Sequence, residues 1–290
     1  METMTKQIGY RGNLTLFLLA LAVLARLQPG FAETPDWRNA PIERTRKAAE
    51  DGNPLAQLTL GDAYRMGGRM GGLDVAQDFR EAVRWYRKAA EQGSKRAQVD
   101  LGMMYFSGKE VPPDHRKAIM WLRMAAEQKA YLFPPLIGLS DAFVEHVLAG
   151  LYESAEGMQY YREAVKWYRK AAARGYAPAQ RGLGDLYYRG KGVPQHYREA
   201  LKWFRLAAEQ EDALAQLLLG EMYANGRGVP QDYAQAYAWI SLAAIEGDTA
   251  GGEARRLRDR LVAEMTPEQL TAAQDLAAEL FQRIESAKSE

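Results

Sequence analysis

Residues Tyr187–Tyr197 read YYRGKGVPQHY, a glycine-flanked lysine between two helix-like stretches. Taken alone, Gly190-Lys191-Gly192 could cradle a phosphate, with backbone N–H groups approaching the anion and the lysine as counter-charge. The same string returns 36 residues later as Gly226-Arg227-Gly228-Val229-Pro230-Gln231-Asp232-Tyr233, and earlier as Gly108-Lys109-Glu110-Val111-Pro112-Pro113-Asp114-His115. A phosphate loop is built once per fold, whereas this loop is built once per repeat. Glycine tolerates the positive φ that ends a helix, and proline stops helical continuation. Asp78, Asp114 and Asp232 then stand where the next helix needs an N-cap. The loop reads as a turn.

Working outward, Trp85, Trp121, Trp167, Trp203 and Trp239 are spaced 36, 46, 36 and 36 residues apart. Each has an alanine three residues before it and a double alanine beginning four residues after it. Ala200, Trp203, Phe204, Ala207 and Ala208 show the spacing of one helical face. A preceding helix carries Ala-x-x-x-Leu-Gly-x-x-Tyr, as in Ala56-Leu60-Gly61-Tyr64, Ala97-Leu101-Gly102-Tyr105, Ala179-Leu183-Gly184-Tyr187 and Ala215-Leu219-Gly220-Tyr223. A mid-helix glycine costs about 1 kcal/mol relative to alanine. Its recurrence at one phase predicts close approach of the partner helix, with the equally small double alanine as the expected neighbour.

A fixed period in this range is the signature of a stacked repeat. With the motifs quoted above, the chain resembles the Sel-one-like repeat family, relatives of the tetratricopeptide repeat. The resemblance covers residues 54–247, with a half-unit at Glu43–Gly52 before them. It implies an all-α, right-handed α/α superhelical solenoid used for protein–protein contact. The expected organisation is a signal peptide (1–32), a half-repeat (33–53), repeats at 54–93, 94–130, 131–175, 176–211 and 212–247, and capping helices (248–290). The third repeat is the irregular one. Leu139-Ser140-Asp141-Ala142-Phe143 is set against Leu-Gly-x-x-Tyr, which puts an insertion near His146–Gly157. After it, Thr266-Pro267-Glu268-Gln269 has the form of a capping box, opening a stripe of Leu270, Ala273, Leu276, Ala277, Leu280, Phe281 and Ile284 that would cover the open end.

The N-terminus reads separately. Lys6 and Arg11 precede the apolar run LTLFLLALAVLA (Leu14–Ala25), and small residues sit where a signal peptidase cleaves, after Ala32. Twelve apolar residues before Arg26 fall short of the ~20 that span a bilayer, so the expectation is a cleaved signal and a periplasmic or secreted chain; an uncleaved membrane helix is the competing reading. With residues 1–32 removed the chain keeps 35 basic (38 − 3) and 36 acidic (37 − 1) side chains. That balance gives no field favouring nucleic acid, and no stable membrane insertion of the mature chain is expected. There is no cysteine, which excludes disulfides, thiolate metal sites and cysteine nucleophiles. His115, His146 and His196 are scattered without metal-ligand spacing, so neither a metal nor a cofactor is expected, nor any catalytic residue.

Function is therefore read as a non-enzymatic scaffold or adaptor holding a protein partner. The alternative is an envelope hydrolase or carbohydrate-binding protein with a site at the third repeat, which carboxylates facing one cleft there would favour. Counting each first helix from its alanine as position 0, positions +2, +6 and +9 point away from the 0, +4, +7, +8 core stripe. In a right-handed solenoid that side lines the groove. The candidate partner-binding residues are Leu58 and Asp62; Val99, Met103 and Phe106; Ile137, Asp141 and Val144; Arg181, Asp185 and Tyr188; and Leu217 and Glu221. Their apolar and acidic mixture suits a segment with apolar anchors and basic residues. A groove closed by the long inserts, burying those apolar groups, is the other reading.

Overall fold

The repeated caps predicted above are what divide the chain into helices. In the computed structural model Asn53 accepts N–H bonds from Leu55 and Ala56 to open the helix beginning at Pro54, while Asp78, Asp114 and Asp232 cap with their side chains the helices beginning at Phe79, His115 and Tyr233. His196 caps the helix beginning at Tyr197 in the same way, its Nδ1 accepting from Glu199 N at 3.1 Å. Gly108, Gly190 and Gly226 close helices in the left-handed region, at φ of 62°, 69° and 63°. The opening loop is a turn.

The structure describes residues 41–70, 73–128, 140–155, 157–245 and 249–287. The signal-peptide segment, the start of the half-repeat and Ile137 lie outside them. Among the described residues there are thirteen helices and one short hairpin. The first unit, ending at Ser140, holds α1 (Ile42–Glu50), α2 (Pro54–Met66), α3 (Phe79–Glu91), α4 (Lys95–Ser107) and α5 (His115–Glu127). Its antiparallel hairpin, β1 (Gly68–Met70) with β2 (Leu73–Val75), forms part of the long loop of the first repeat. The second unit, from Asp141, holds α6 (Asp141–Ser154), α7 (Met158–Ala173), α8 (Ala177–Arg189), α9 (Tyr197–Ala208), α10 (Ala213–Asn225), α11 (Tyr233–Ala243), α12 (Thr249–Ala263) and α13 (Pro267–Ala287). The fold is an all-α repeat, each first helix packed on its own second helix and, within a unit, on the second helix before it. No helix among the described residues is long and apolar enough to cross a membrane.

The helical glycine answers to a different neighbour than the sequence suggested. A Cβ on Gly61 would lie 2.5 Å from the Tyr86 ring, one on Gly102 2.5 Å from Leu122, and one on Gly184 2.7 Å from Phe204. The glycine thus makes room for the large residue after the tryptophan, not for a double alanine. The double alanines do their work one repeat on. Buried glutamines of the following first helix donate to the second alanine's carbonyl: Gln57 to Ala49 (3.0 Å), Gln98 to Ala90 (3.1 Å), Gln180 to Ala172 (3.3 Å) and Gln216 to Ala208 (3.1 Å). A small side chain leaves that carbonyl accessible to the donor. A second staple recurs beside the first: Arg46, Arg87, Arg169 and Arg205 each donate to the hydroxyl of the tyrosine 18 residues on, Tyr64, Tyr105, Tyr187 and Tyr223.

The third repeat is registered nine residues later than the sequence reading placed it. Its first helix is α6, so Leu148-Ala149-x-x-Tyr152 fills the Leu-Gly-x-x-Tyr positions, and Val144, not Pro135, is position 0. The extra residues precede this helix: residues 128–140 separate α5 from α6, against residues 92–94 between α3 and α4. His146–Ser154 is helix, not insertion. Glu145 falls where the other first helices carry glutamine. A carboxylate has no N–H to donate, and Glu145 instead takes the Arg174 guanidinium at 3.2 Å.

At the C-terminal end the capping box forms as expected, Thr266 N donating to Gln269 Oε1 at 2.9 Å and Gln269 N to Thr266 Oγ1 at 3.3 Å. α12 packs on α11 and α10 as a further first helix would, and α13 packs on α11. Ala273, Leu280 and Ile284 are buried there, while Phe281 is left 45% exposed.

Candidate interaction face

The face at +2, +6 and +9 is set by how first helices are held. α4 lies between α3 and α5, and α8 between α7 and α9, so two neighbours cover part of the arc that one neighbour would leave open. Position +2 is the casualty. Leu58, Val99 and Leu217 are buried, and so is Val144, which the corrected register moves into the core stripe. These four expected contacts lie beneath the surface and a partner cannot touch them.

In the first unit the remaining positions carry an ion-paired network and two half-buried apolar residues. Asp62 accepts the Tyr86 hydroxyl proton at 2.6 Å and lies 3.5 Å from the Arg96 guanidinium, whose Nε also donates to Asp100 at 2.6 Å. Asp100 foremost, against the penalty of burial, holds the Arg96 pKa above its ordinary value. Burial, and then Asp62, pushes Tyr86 up, so it stays a neutral donor. Arg65 reaches the same cluster. Burial opposes its charge, yet Asp100, Tyr86, Asp62 and Glu110 keep its pKa raised, and its Nε has no hydrogen-bond partner. On α4, Met103 and Phe106 are half-buried, the Phe106 ring 6.4 Å from that of His115.

The second unit carries its own set. Arg181 pairs with Asp212 at 2.9 Å, and Asp212 also caps α10 through Ala215 N. Asp185 takes Arg189 at 2.8 Å, and burial raises its pKa despite that partner. The Tyr188 hydroxyl accepts from Arg227, and its ring lies edge-on to Tyr197 at 5.3 Å. Glu221 is half-buried; burial and then Glu253 raise its pKa while Arg260 opposes them. Asp141 lies 4.0 Å from Arg174, which it shares with Glu145. Both carboxylates at the start of the third repeat therefore face one guanidinium.

The shifted register brings in residues the sequence reading missed. Glu153 is the true +9 position: it accepts from the Tyr168 hydroxyl at 3.0 Å, and burial followed by Asp185 raises its pKa. His146 is the true +2 position, its ring 5.6 Å from Tyr168 and 5.3 Å from Tyr176. Burial, with a smaller push from Arg181, lowers its pKa to about 3, so the imidazole is neutral. The signal for both was Leu148-Ala149-x-x-Tyr152, one alanine away from the motif. Among the described residues no group of three His, Asp or Glu side chains is placed to hold a metal ion.

The comparisons follow this geometry. The Sel1 repeat profile matches residues 62–94, 95–129, 148–176, 177–212 and 213–248, its third match starting within α6 as the structure requires. A protective antigen with an SLR fold from uropathogenic Escherichia coli is 33% identical over 84% of this chain, with a TM-score of 0.65; the chain spans 48% of that protein's length. A Sel1 repeat protein from Oxalobacter formigenes is 30% identical over 81% of this chain and 93% of its own, with a TM-score of 0.57. No curated protein matches the sequence. Five profile matches and the two structural relatives agree: the chain belongs to the Sel1 repeat proteins.

Proposed function

We propose that this chain is a non-catalytic scaffold of the bacterial cell envelope, binding a protein partner on the +6 and +9 positions of its first helices. Sel1 repeat proteins generally mediate protein–protein contact. The observation that carries the reading is in the first unit, where Met103 and Phe106, at +6 and +9 of α4, stay half-exposed while the polar groups at Asp62, Tyr86, Arg96 and Asp100 are paired among themselves. Such a face offers apolar anchors without reacting groups. In the second unit Asp185, Glu221 and Glu153 supply carboxylates that burial makes harder to ionise, and a cationic side chain of the partner would relieve them. Export rests on Lys6, Arg11, the run Leu14–Ala25 and the small residues up to Ala32.

The test is site-specific photo-crosslinking from position 106 in living cells. One discrete adduct is expected, and Met103→Ala and Phe106→Ala should each weaken binding to the crosslinked protein by about 1–2 kcal/mol with helicity unchanged. Unaltered affinity in both variants would remove the face from consideration. Mass spectrometry of the periplasmic fraction should find Glu33 at the N-terminus; an intact leader in membranes would refute cleavage after Ala32.

A further inference from the structure

The second helices share an outward row of two positions, the residue before the tryptophan and the residue three after it. On α7 both are exposed lysines, Lys166 and Lys170, and Lys170 Nζ sits 3.9 Å from the Trp167 ring centroid. On α3, Lys88 Nζ covers Trp85 at 4.3 Å. A cation over an indole face satisfies both the ring and the solvent.

On α9 the pair is mixed, Lys202 with a 37% exposed Leu206, and two helices carry apolar residues at both positions. On α11 the pair is Ala238 and Leu242, both buried in one apolar cluster with Leu280 and Ile284. The element packed on α11 that α3 and α7 lack is α13, an amphipathic helix. An apolar pair at these positions is thus a helix seat, and this molecule fills it. On α5 the pair is Met120 and Met124, 46% and 43% exposed beside Trp121. Two thioethers at i, i+4 make an adaptable apolar strip one helix wide. Its charged border has one surplus cation: Lys117 is paired with Asp114 at 3.0 Å and Arg123 with Glu127 at 2.8 Å, and Arg116 is exposed beside them. The α13 helix has the complementary sign, with four acidic side chains (Glu268, Asp275, Glu279, Glu285) and one basic, Arg283.

We propose that the Met120–Met124 face of α5 is a docking site for an acidic amphipathic helix of a partner protein, seated as α13 is seated on α11. A second copy of the chain is the poorer occupant, because α13 already buries its apolar stripe against its own α11. The surface is separate from the +6 and +9 positions of α2 and α4, and either can fail without the other.

The probe is a fluorescein-labelled peptide with the sequence of Pro267–Ala287, titrated against the full chain by fluorescence anisotropy. Saturable binding is expected, weakened at least tenfold in the double variant Met120→Lys/Met124→Lys, which installs the α7 pattern, with circular dichroism and melting unchanged. Arg116→Glu, on an exposed side chain that leaves the core alone, should weaken binding severalfold, and added salt should do the same. Equal affinity across wild type and variants, or no saturable binding by wild type, overturns the proposal. A methionine-dependent dimer in light scattering would reassign the face to a second copy. Methionine-dependent binding to phosphatidylglycerol vesicles, without peptide binding, would reassign it to a membrane surface.

Discussion

Within one loop, Gly226 and Gly228 face different constraints. Both have positive φ, 63° and 75°, but a Cβ on Gly226 would meet its nearest atom at 3.4 Å, while one on Gly228 would lie 2.7 Å from the Tyr197 backbone carbon. Gly226→Ala should therefore show only the left-handed penalty of about 1–2 kcal/mol. Gly228→Ala adds a backbone collision and should lose roughly 3 kcal/mol or more, read as a lower urea midpoint for the second unit. His146 predicts a pH dependence. Its folded pKa of about 3 lies below the ordinary value of 6.5, so its neutral form contributes stability that is whole above pH 6.5 and is lost as pH falls toward 3. His146→Leu, the residue at the same position in α2 and α10, should abolish about 2 kcal/mol of the loss between pH 6.5 and 5. The raised carboxylates work in the other direction, gaining stability on acidification, so the comparison is between variant and wild type at each pH. Glycine turns and aspartate caps were legible from single residues because their chemistry is local. The burial of Leu58, Val99 and Leu217 was not, because it depends on a neighbouring repeat's helix.

For whole helices, periodicity located most second helices through the tryptophan and double alanine, and it failed at α6. There the 46-residue tryptophan spacing announced extra residues but not their side of the helix. Serine was accepted as a glycine stand-in at 140, whereas the structure uses Ala149, next to Leu148 and ahead of Tyr152. The candidate residues Ile137, Asp141 and Val144 inherited that slip. The same scale governs α13. Its seat on α11 buries Ala238 and Leu242, which would be solvated without it. Ending the chain at Met265 should expose an apolar strip, visible as increased binding of a hydrophobic dye and a lower melting temperature. Leu280→Ala in the full chain should lose about 2–4 kcal/mol and reproduce part of that effect.

Over the whole molecule, two compact units meet the sequence's promise of one repeat family. Each has its own apolar cluster, so a fragment of residues 141–290 should fold alone, with helical circular dichroism and one cooperative urea transition. A fragment that stays unfolded would show that the second unit depends on the first. The interaction face was half legible: residue type and helical phase gave Asp62, Met103, Phe106, Asp185, Tyr188 and Glu221, while nothing in the sequence revealed which were already engaged. The paired staples between repeats, glutamine to alanine carbonyl and arginine to tyrosine hydroxyl, have a bearing on how such a chain lengthens. At four junctions one repeat presents the acceptor carbonyl and the guanidinium, and the next presents the amide and the phenol; the junction into the third repeat, with Glu145 at the glutamine position, departs from this. A tandem copy of residues 177–212 inserted after Asp212 would meet both of its bonds ready-made, and should add about two helices' worth of ellipticity without lowering the melting temperature. Gene duplication in whole modules then carries little selective penalty.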